Sequence, residues 1–196
     1  MDTPYNRGFQ HLSESLTPHL KPDELSQVEK AYLLALNSHA GQMRDEGTPY
    51  ILHPIRVALV LSEELRLYSS DLTCAALLHD VIEDSDVTRE EVEAEFGDTV
   101  ARIVWLLTKL PEVSLPGYLA AIEKASDIKA PVVKLCDRLD NLRFLIRSPK
   151  AEKKRRYIRT TEQHYLPLAA RTDKYLYKQL KDALKLARTS VFRSSA

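Results

Sequence analysis

Cysteine is nearly absent from this sequence. Its two copies, Cys74 and Cys136, each sit among apolar residues in a helical pattern, which excludes a disulfide framework and a Cys-type zinc site. That usage suits a reducing cytosol, and a cytoplasmic location is expected. Net charge is absent too. Twenty-eight Lys and Arg balance twenty-eight Asp and Glu, so the chain as a whole lacks the positive field with which nucleic-acid binders gather phosphate backbone. No polymer partner is expected. No stretch reaches about 18 apolar residues, and the opening MDTPYNRGFQHLSESL has no apolar h-region. A spanning helix, a signal peptide and a membrane partner are therefore not expected. Glycine is scarce, with five residues, while Ala, Leu, Glu, Lys and Arg dominate long segments, which favours helices over tight-turned sheets. The expected class is all-α. At 196 residues the chain fits one domain, spanning 1–196 without a repeat, low-complexity tract or linker.

What is present is helical periodicity interrupted by acids and imidazoles. From Asp23, apolar residues at Val28, Ala31, Tyr32, Ala35 and Leu36 keep the spacing of one buried helical face, with Asp23 as N-cap and Gly41 as stop. The segment MRDEGTPYIL then breaks the pattern at Gly47 and Pro49, predicting an ordered loop that contains Arg44 and ends at His53. A helix is expected from about Pro54 to Leu65. Ser70 or Asp71 should cap the nearly all-apolar run that follows and ends abruptly in HDVIEDS. Thr88 with Glu91 forms a capping-box pattern, Gly97 closes that short helix, and Asp98 opens the next. Pro116 starts a further short helix. Beyond Asp127 a second buried helix carries Val132, Leu135, Cys136, Leu139, Leu142 and Leu145 on one side, ending at Ser148 and Pro149. Lys150 to about Leu186 reads as two long helices bent or broken near Pro167 and Asp173.

His79, Asp80, Glu83 and Asp84 fall within about one and a half helical turns, with Glu83 four residues from His79 and Asp84 four from Asp80. A solvated helix end is the bland account of such a cluster. Carboxylates at a helix C-terminus oppose the macrodipole, however, at roughly 0.3 to 1 kcal/mol each unless a cation is near. Asp137, set in an apolar helix, is costly to bury alone and also asks for a cation, either Arg138 in a structural ion pair or a metal. His53, taken alone, is better read as a packed histidine. Together His53, His79, Asp80 and Asp137 make a nitrogen and oxygen donor set suited to Mn, Fe, Zn or a similar divalent ion with positions open to water.

Five segments carry a closer resemblance: His39 to Ala58 (HAGQMRDEGTPYILHPIRVA), Ala75 to Thr88 (AALLHDVIEDSDVT), Glu91 to Leu110, Val132 to Arg143 (VVKLCDRLDNLR) and, more weakly, Tyr165 to Arg171 (YLPLAAR). In order and content these resemble the hydrolase half of the Rel/SpoT stringent-response enzymes, and most of all the small alarmone hydrolases, over most of residues 24–171. The resemblance implies an HD-domain-type helical bundle of about 8 to 10 helices. It implies a manganese ion held by His53, His79, Asp80 and Asp137, and water activation by Glu83 and Asp84. Arg44 matches the arginine that packs on the purine and Asn141 the asparagine lining the nucleotide pocket. The implied reaction removes the 3′-pyrophosphate of (p)ppGpp, releasing pyrophosphate and the 5′-nucleotide. Lys134, Arg138 and Arg143 are available to meet phosphates. No synthetase domain is expected, and a homo-oligomer is left open.

Three positions depart from the family pattern. Asp45 stands where a lysine is usual, Asp140 replaces a histidine, and Phe144 replaces a threonine near the expected purine pocket. A ring in place of a hydroxyl removes a hydrogen-bonding group that reads a base edge. An adenine alarmone such as pppApp is therefore an alternative to the guanine compound. Other readings are an HD-type phosphatase of another small nucleotide, either a 5′-nucleotidase or an NADPH phosphatase, and a module that binds an alarmone without hydrolysing it. The charge run from Lys150 to Arg156 is expected to be a solvated helix face. His39 is expected to brace a helix or loop, and His11, His19 and His164 show no ligand spacing. Trp105 and the tyrosines of the last helices are read as core or interface anchors.

Overall fold

Helix starts in this chain are set by side chains that reach back to free backbone N–H groups. In the computed structural model, which describes residues 3–193 and their side chains to Ser190, Thr3 caps α1 (Pro4–Leu16) by accepting from the Asn6 N–H at 3.2 Å. The sequence reading left this helix out, although Thr3 followed by Pro4 is an N-terminal signal and Leu12 and Leu16 are fully buried. Helix α2 (Pro22–Ser38) begins one residue before the expected Asp23 cap, and Glu24 instead accepts from the Lys21 N–H at 2.8 Å. Gly41, at φ 74°, turns the chain after it.

Helix α3 (Leu52–Leu59) runs into a wide turn over Val60–Glu64. Ser69, one residue before the expected cap, accepts from Leu72 N–H and starts α4 (Ser70–Leu78), buried from Leu72 through Leu78. Four neighbours, α2, α3, α6 and α8, enclose α4, which explains why its hydrophobicity has no polar face. Helix α5 (Val81–Asp84) is separate. The capping box of Thr88 and Glu91 opens α6 (Arg89–Leu107), in which Gly97, at φ 84° and ψ 166°, lies outside helical geometry and divides a short first helix from the longer one, where the sequence placed a helix end.

Helix α7 (Leu115–Lys124) is capped by Ser114, and a short 3₁₀ turn leads to α8 (Ala130–Leu145). Helix α9 (Ala151–Thr160) continues through a wide turn, Thr161–Tyr165, into α10 (Leu166–Thr172). That wide turn lies just before Pro167, which has no N–H to give, so the expected irregularity near the proline takes the form of a local widening and not a full break. The break comes at Asp173, extended at φ −154° and ψ 128°, whose Oδ1 accepts from Leu176 N–H in α11 (Lys174–Arg193). The expected all-helical class holds: among the described residues the only β-type pairing is a bridge between Met43 and Pro49 in the Arg44 loop. Buried side chains from α1 to α11 form one cluster, with α8 packed against α3, α4, α6, α7 and α11. Among the described residues no helix is long and apolar enough to cross a membrane.

Candidate metal and nucleotide site

The helix expected to carry His79, Asp80, Glu83 and Asp84 together is interrupted between the first two and the last two. His79 ends α4, and Asp80, at φ −109° and ψ −2°, starts α5 with Asp84 N–H bonded to its carbonyl at 2.9 Å. In an unbroken helix consecutive side chains diverge by about 100°. The kink lets the two neighbours converge, and His79 Nε2 lies 3.0 Å from Asp80 Oδ2. Glu83 and Asp84 therefore belong to a new four-residue helix and do not oppose the macrodipole at the end of α4, contrary to the sequence expectation.

Asp137 comes from α8 and His53 from the second residue of α3. His53 Nε2 is 3.2 Å from Asp137 Oδ1 and 3.9 Å from Asp80 Oδ2, and His79 Nε2 is 3.8 Å from Asp137 Oδ1. Donor atoms of His53, His79 and Asp80 all fall within 4.8 Å of one another. Hydrogen bonds behind the rings set their direction. His79 Nδ1 donates to the Ala76 carbonyl at 2.7 Å, and His53 Nδ1 donates to Asp140 Oδ2 at 2.6 Å. A metal bound here would require both Nε2 atoms to be unprotonated, and each ring would then turn the Nε2 lone pair toward the carboxylate oxygens. His79 Nε2 is buried and has no hydrogen-bond partner. Two lone pairs and two carboxylates facing one point repel unless a cation joins them, so these residues fit a divalent metal. The electrostatics make the same demand: burial alone would lower the His79 pKa, but Asp80 and Asp137 push it up to about 9.

Further groups hold the carboxylates. Tyr50 donates to Asp80 Oδ2 at 2.5 Å, and its phenol is driven far above the usual range by burial and by Asp80. Lys134 Nζ lies 2.9 Å from Asp137 Oδ2. Against the cost of burial, Lys134 and the two imidazoles keep the Asp137 carboxyl well below its ordinary value. Asp140 is also pinned by Arg56, through Nε at 2.7 Å and Nη2 at 3.1 Å. The histidine-to-aspartate departure thus supplies an orienting carboxylate for His53.

A cavity of about 330 Å³ opens beside these donors and is lined by Arg44, Asp80, Glu83, Asp84, Asp137 and Asn141 among others. Glu83 Oε2 accepts from the Lys109 N–H at 3.0 Å. Burial, then the Asp80 charge, raises the Asp84 carboxyl. Arg44 Nη2 donates to Asn141 Oδ1 at 2.8 Å, so the expected purine-packing and pocket-lining residues meet. A larger cavity of about 450 Å³ near Lys129 and Arg171 contains no imidazole and no cluster of converging donors. Chemistry, and not size, marks the smaller cavity as the site.

Lys134 lines this cavity, but Arg138 and Arg143 do not. Arg138 is buried with its guanidinium 4.2 Å from the ring centres of both Tyr157 and Tyr165, and it donates to Thr160, Thr161 and the Tyr157 carbonyl. Arg143 forks onto Glu64 at 2.5 and 2.9 Å. Both are engaged by side chains outside the cavity, Arg138 in the interior and Arg143 nearer the surface. Phe144 is likewise outside the lining, stacked under Arg56 at 3.7 Å, so its difference from threonine is not a contact in this pocket. The sequence reading missed Tyr50, Lys109, Tyr118, Lys153, Tyr157 and Tyr165, all of which line the cavity. Tyr50, Lys109 and Tyr165 lay inside matching segments but carried no pattern of their own; Tyr118, Lys153 and Tyr157 come from other helices, and their types alone gave no signal. His39 packs on Tyr50, with ring centres 4.6 Å apart, and binds Gln42. Trp105 is 39 % exposed and is not a core residue.

Residues 31–174 match the HD domain family, and this chain belongs to that family. Among curated relatives, it is 38 % identical over 172 residues to a guanosine-3′,5′-bis(diphosphate) 3′-pyrophosphohydrolase of Vibrio cholerae, covering 83 % of this chain and 24 % of that protein. It is 37 % identical over 172 residues to the bifunctional (p)ppGpp synthase/hydrolase SpoT of Escherichia coli K12, with the same coverage, and 36 % identical over 178 residues to a GTP pyrophosphokinase of Streptomyces coelicolor, covering 86 % of this chain and 21 % of that one. The chain thus spans about a quarter of the length of the relatives it matches. A solved structure described as a metazoan ortholog of SpoT that hydrolyzes ppGpp superposes with a TM-score of 0.73 at 28 % identity, covering 82 % of this chain and 94 % of that one.

Proposed function

We propose that this chain is a manganese-dependent 3′-pyrophosphohydrolase of a purine alarmone, (p)ppGpp or its adenine analogue, releasing pyrophosphate and the 5′-nucleotide. The observation that carries the reading is the convergence of His53, His79, Asp80 and Asp137 beside Glu83 and Asp84 in the cavity that holds Arg44 and Asn141. The names of the relatives and of the similar structure support the substrate class.

His53, His79, Asp80 and Asp137 would hold the metal. When bound, a divalent ion supplies charge stabilisation at a phosphoryl oxygen and acidifies nearby water. The chain's own groups do the rest. The Lys109 N–H fixes the Glu83 carboxylate, which serves as base for the attacking water. Water adds to the phosphorus attached to the 3′ oxygen, the bond between them breaks, and the 3′ hydroxyl is regained. Asp84, with its raised pKa, holds a proton more readily than an ordinary aspartate and supports proton movement at the same face. The planar Arg44 guanidinium, held by Asn141, stacks on the purine, and Lys134 neutralises charge on the phosphate side.

The test is product analysis after incubating the purified protein and Mn²⁺ with ppGpp, pppApp, NADPH and dNTPs. Pyrophosphate with GDP or ATP is expected from the alarmones. Orthophosphate from NADPH or a 5′-nucleotide would establish another HD-type phosphatase, and binding of ppGpp with no turnover would establish a sensor.

A further inference from the structure

Helix α9 was expected to present a solvated charged face; Lys150, Arg155, Arg156 and Arg159 are exposed as expected, but Lys153 also reaches the active-site cavity. Residues 150–159 hold six Lys or Arg against the single acid Glu152, in a chain whose total charge is zero. Lys150, Lys153, Arg155, Arg156 and Arg159 line a depression of about 870 Å³, and Lys153 lines the metal cavity as well. Among the described residues Arg155, Arg156 and Arg159 have no carboxylate partner within ion-pair distance, whereas three of the cations that line the metal cavity are paired: Lys134 with Asp137, Arg44 with Glu46 and Lys153 with Asp45.

Asp45, which lines the metal cavity, reaches across to the start of α9. Its carboxylate accepts from Lys150 Nζ and Lys153 Nζ, each at 2.6 Å, and from Ser148 Oγ at 3.2 Å. Asp45 adjoins Arg44, so the latch ties the stacking loop to the first turn of α9. One carboxylate against two ammonium groups leaves a positive excess, and the Arg155, Arg156 and Arg159 guanidiniums add to it. A phosphate chain carries more charge and more acceptor oxygens than one carboxylate and fits this excess better.

We propose that the basic face of α9 is a subsite for the 5′-phosphate chain of the substrate, with Asp45 as a resident anion that the chain displaces from Lys150 and Lys153. The inference rests on the proposed alarmone substrate and adds that the enzyme grades substrates by 5′-phosphate number. Displacement frees the Arg44 loop from α9, coupling occupancy of the phosphate subsite to the position of the stacking arginine.

The test compares purine nucleoside 3′-diphosphates bearing one, two or three 5′-phosphates. In the wild type KM should fall with each added phosphate. In an Arg155→Gln, Arg156→Gln, Arg159→Gln variant, whose changes are all at exposed positions, KM for the triphosphate should rise about tenfold, with little change for the monophosphate and none in kcat. Asp45→Asn should lower KM for the longer substrates, and Lys178→Gln on α11 should change nothing. An unaltered ratio of KM values between triphosphate and monophosphate in the triple variant overturns the subsite. Binding of inorganic tripolyphosphate to metal-free protein, followed by calorimetry, keeps the question separate from catalysis. Tight binding lost in the triple variant and strengthened by Asp45→Asn is expected even if no alarmone is turned over. Absence of wild-type binding, or equal loss in Lys178→Gln, refutes the proposal.

Discussion

At the scale of single residues, the site depends on which nitrogen each imidazole turns forward. Asp140 decides this for His53 and the Ala76 carbonyl decides it for His79. Asp140→Asn should keep the fold but weaken Mn²⁺ affinity by about 10- to 100-fold, the usual cost of losing the partner behind a ligating histidine. Metal titration checks this, and an unchanged affinity would mean that His53 is not a ligand. Glu83 and Asp80 should separate by role. Glu83→Gln is expected to retain metal while losing turnover by about 10²- to 10⁴-fold, and Asp80→Ala should lose the metal itself. Loss of metal in Glu83→Gln would reassign that residue as a ligand.

At the scale of elements, α8 is the beam from which Asp137 and Asn141 face the cavity while Arg138 is buried and Arg143 pairs with Glu64 nearer the surface. Arg143, Glu64 and Tyr175 join α8, the wide turn after α3, and α11. Burial raises the Glu64 carboxyl, but bonds from Arg143 and Tyr175 outweigh it and hold it below its ordinary value. A carboxylate depressed in the folded state stabilises above its unfolded pKa of about 4.3, and the contribution disappears as pH falls through the folded value. Glu64→Gln should therefore cost about 1 kcal/mol at pH 7, after allowance for partial exposure, and the difference should shrink below about pH 4. Denaturant melts at several pH values measure it. Arg143→Gln should show a similar stability loss with KM unchanged, and a raised KM would return Arg143 to the phosphate site.

At the scale of the molecule, period and capping made the helical class readable, and the capping box at Thr88 and the stop at Asp173 appear where their chemistry placed them. The four proposed metal donors were readable as candidates because chain-local patterns carry them: a histidine ahead of a proline, an adjacent His-Asp pair, and a carboxylate in an apolar helix. Two things were hidden. The kink at Asp80 depends on cross-helix demands that no local spacing records. The inward turn of Arg138 depends on Tyr157 and Tyr165, two turns of chain that meet it only after α9 and the following wide turn have packed on α8. Cations on one helix are indistinguishable in sequence until packing decides which of them meets an aromatic ring, a carboxylate or solvent.

The central claim is that one cation site, formed by His53, His79, Asp80 and Asp137, serves hydrolysis at the 3′-pyrophosphate. Its most direct test is to strip the protein of metal and follow pyrophosphate release from ppGpp as Mn²⁺ is added back. Release should be absent in the stripped protein and should rise to saturation as the site fills. Undiminished release in the presence of excess chelator would contradict the account.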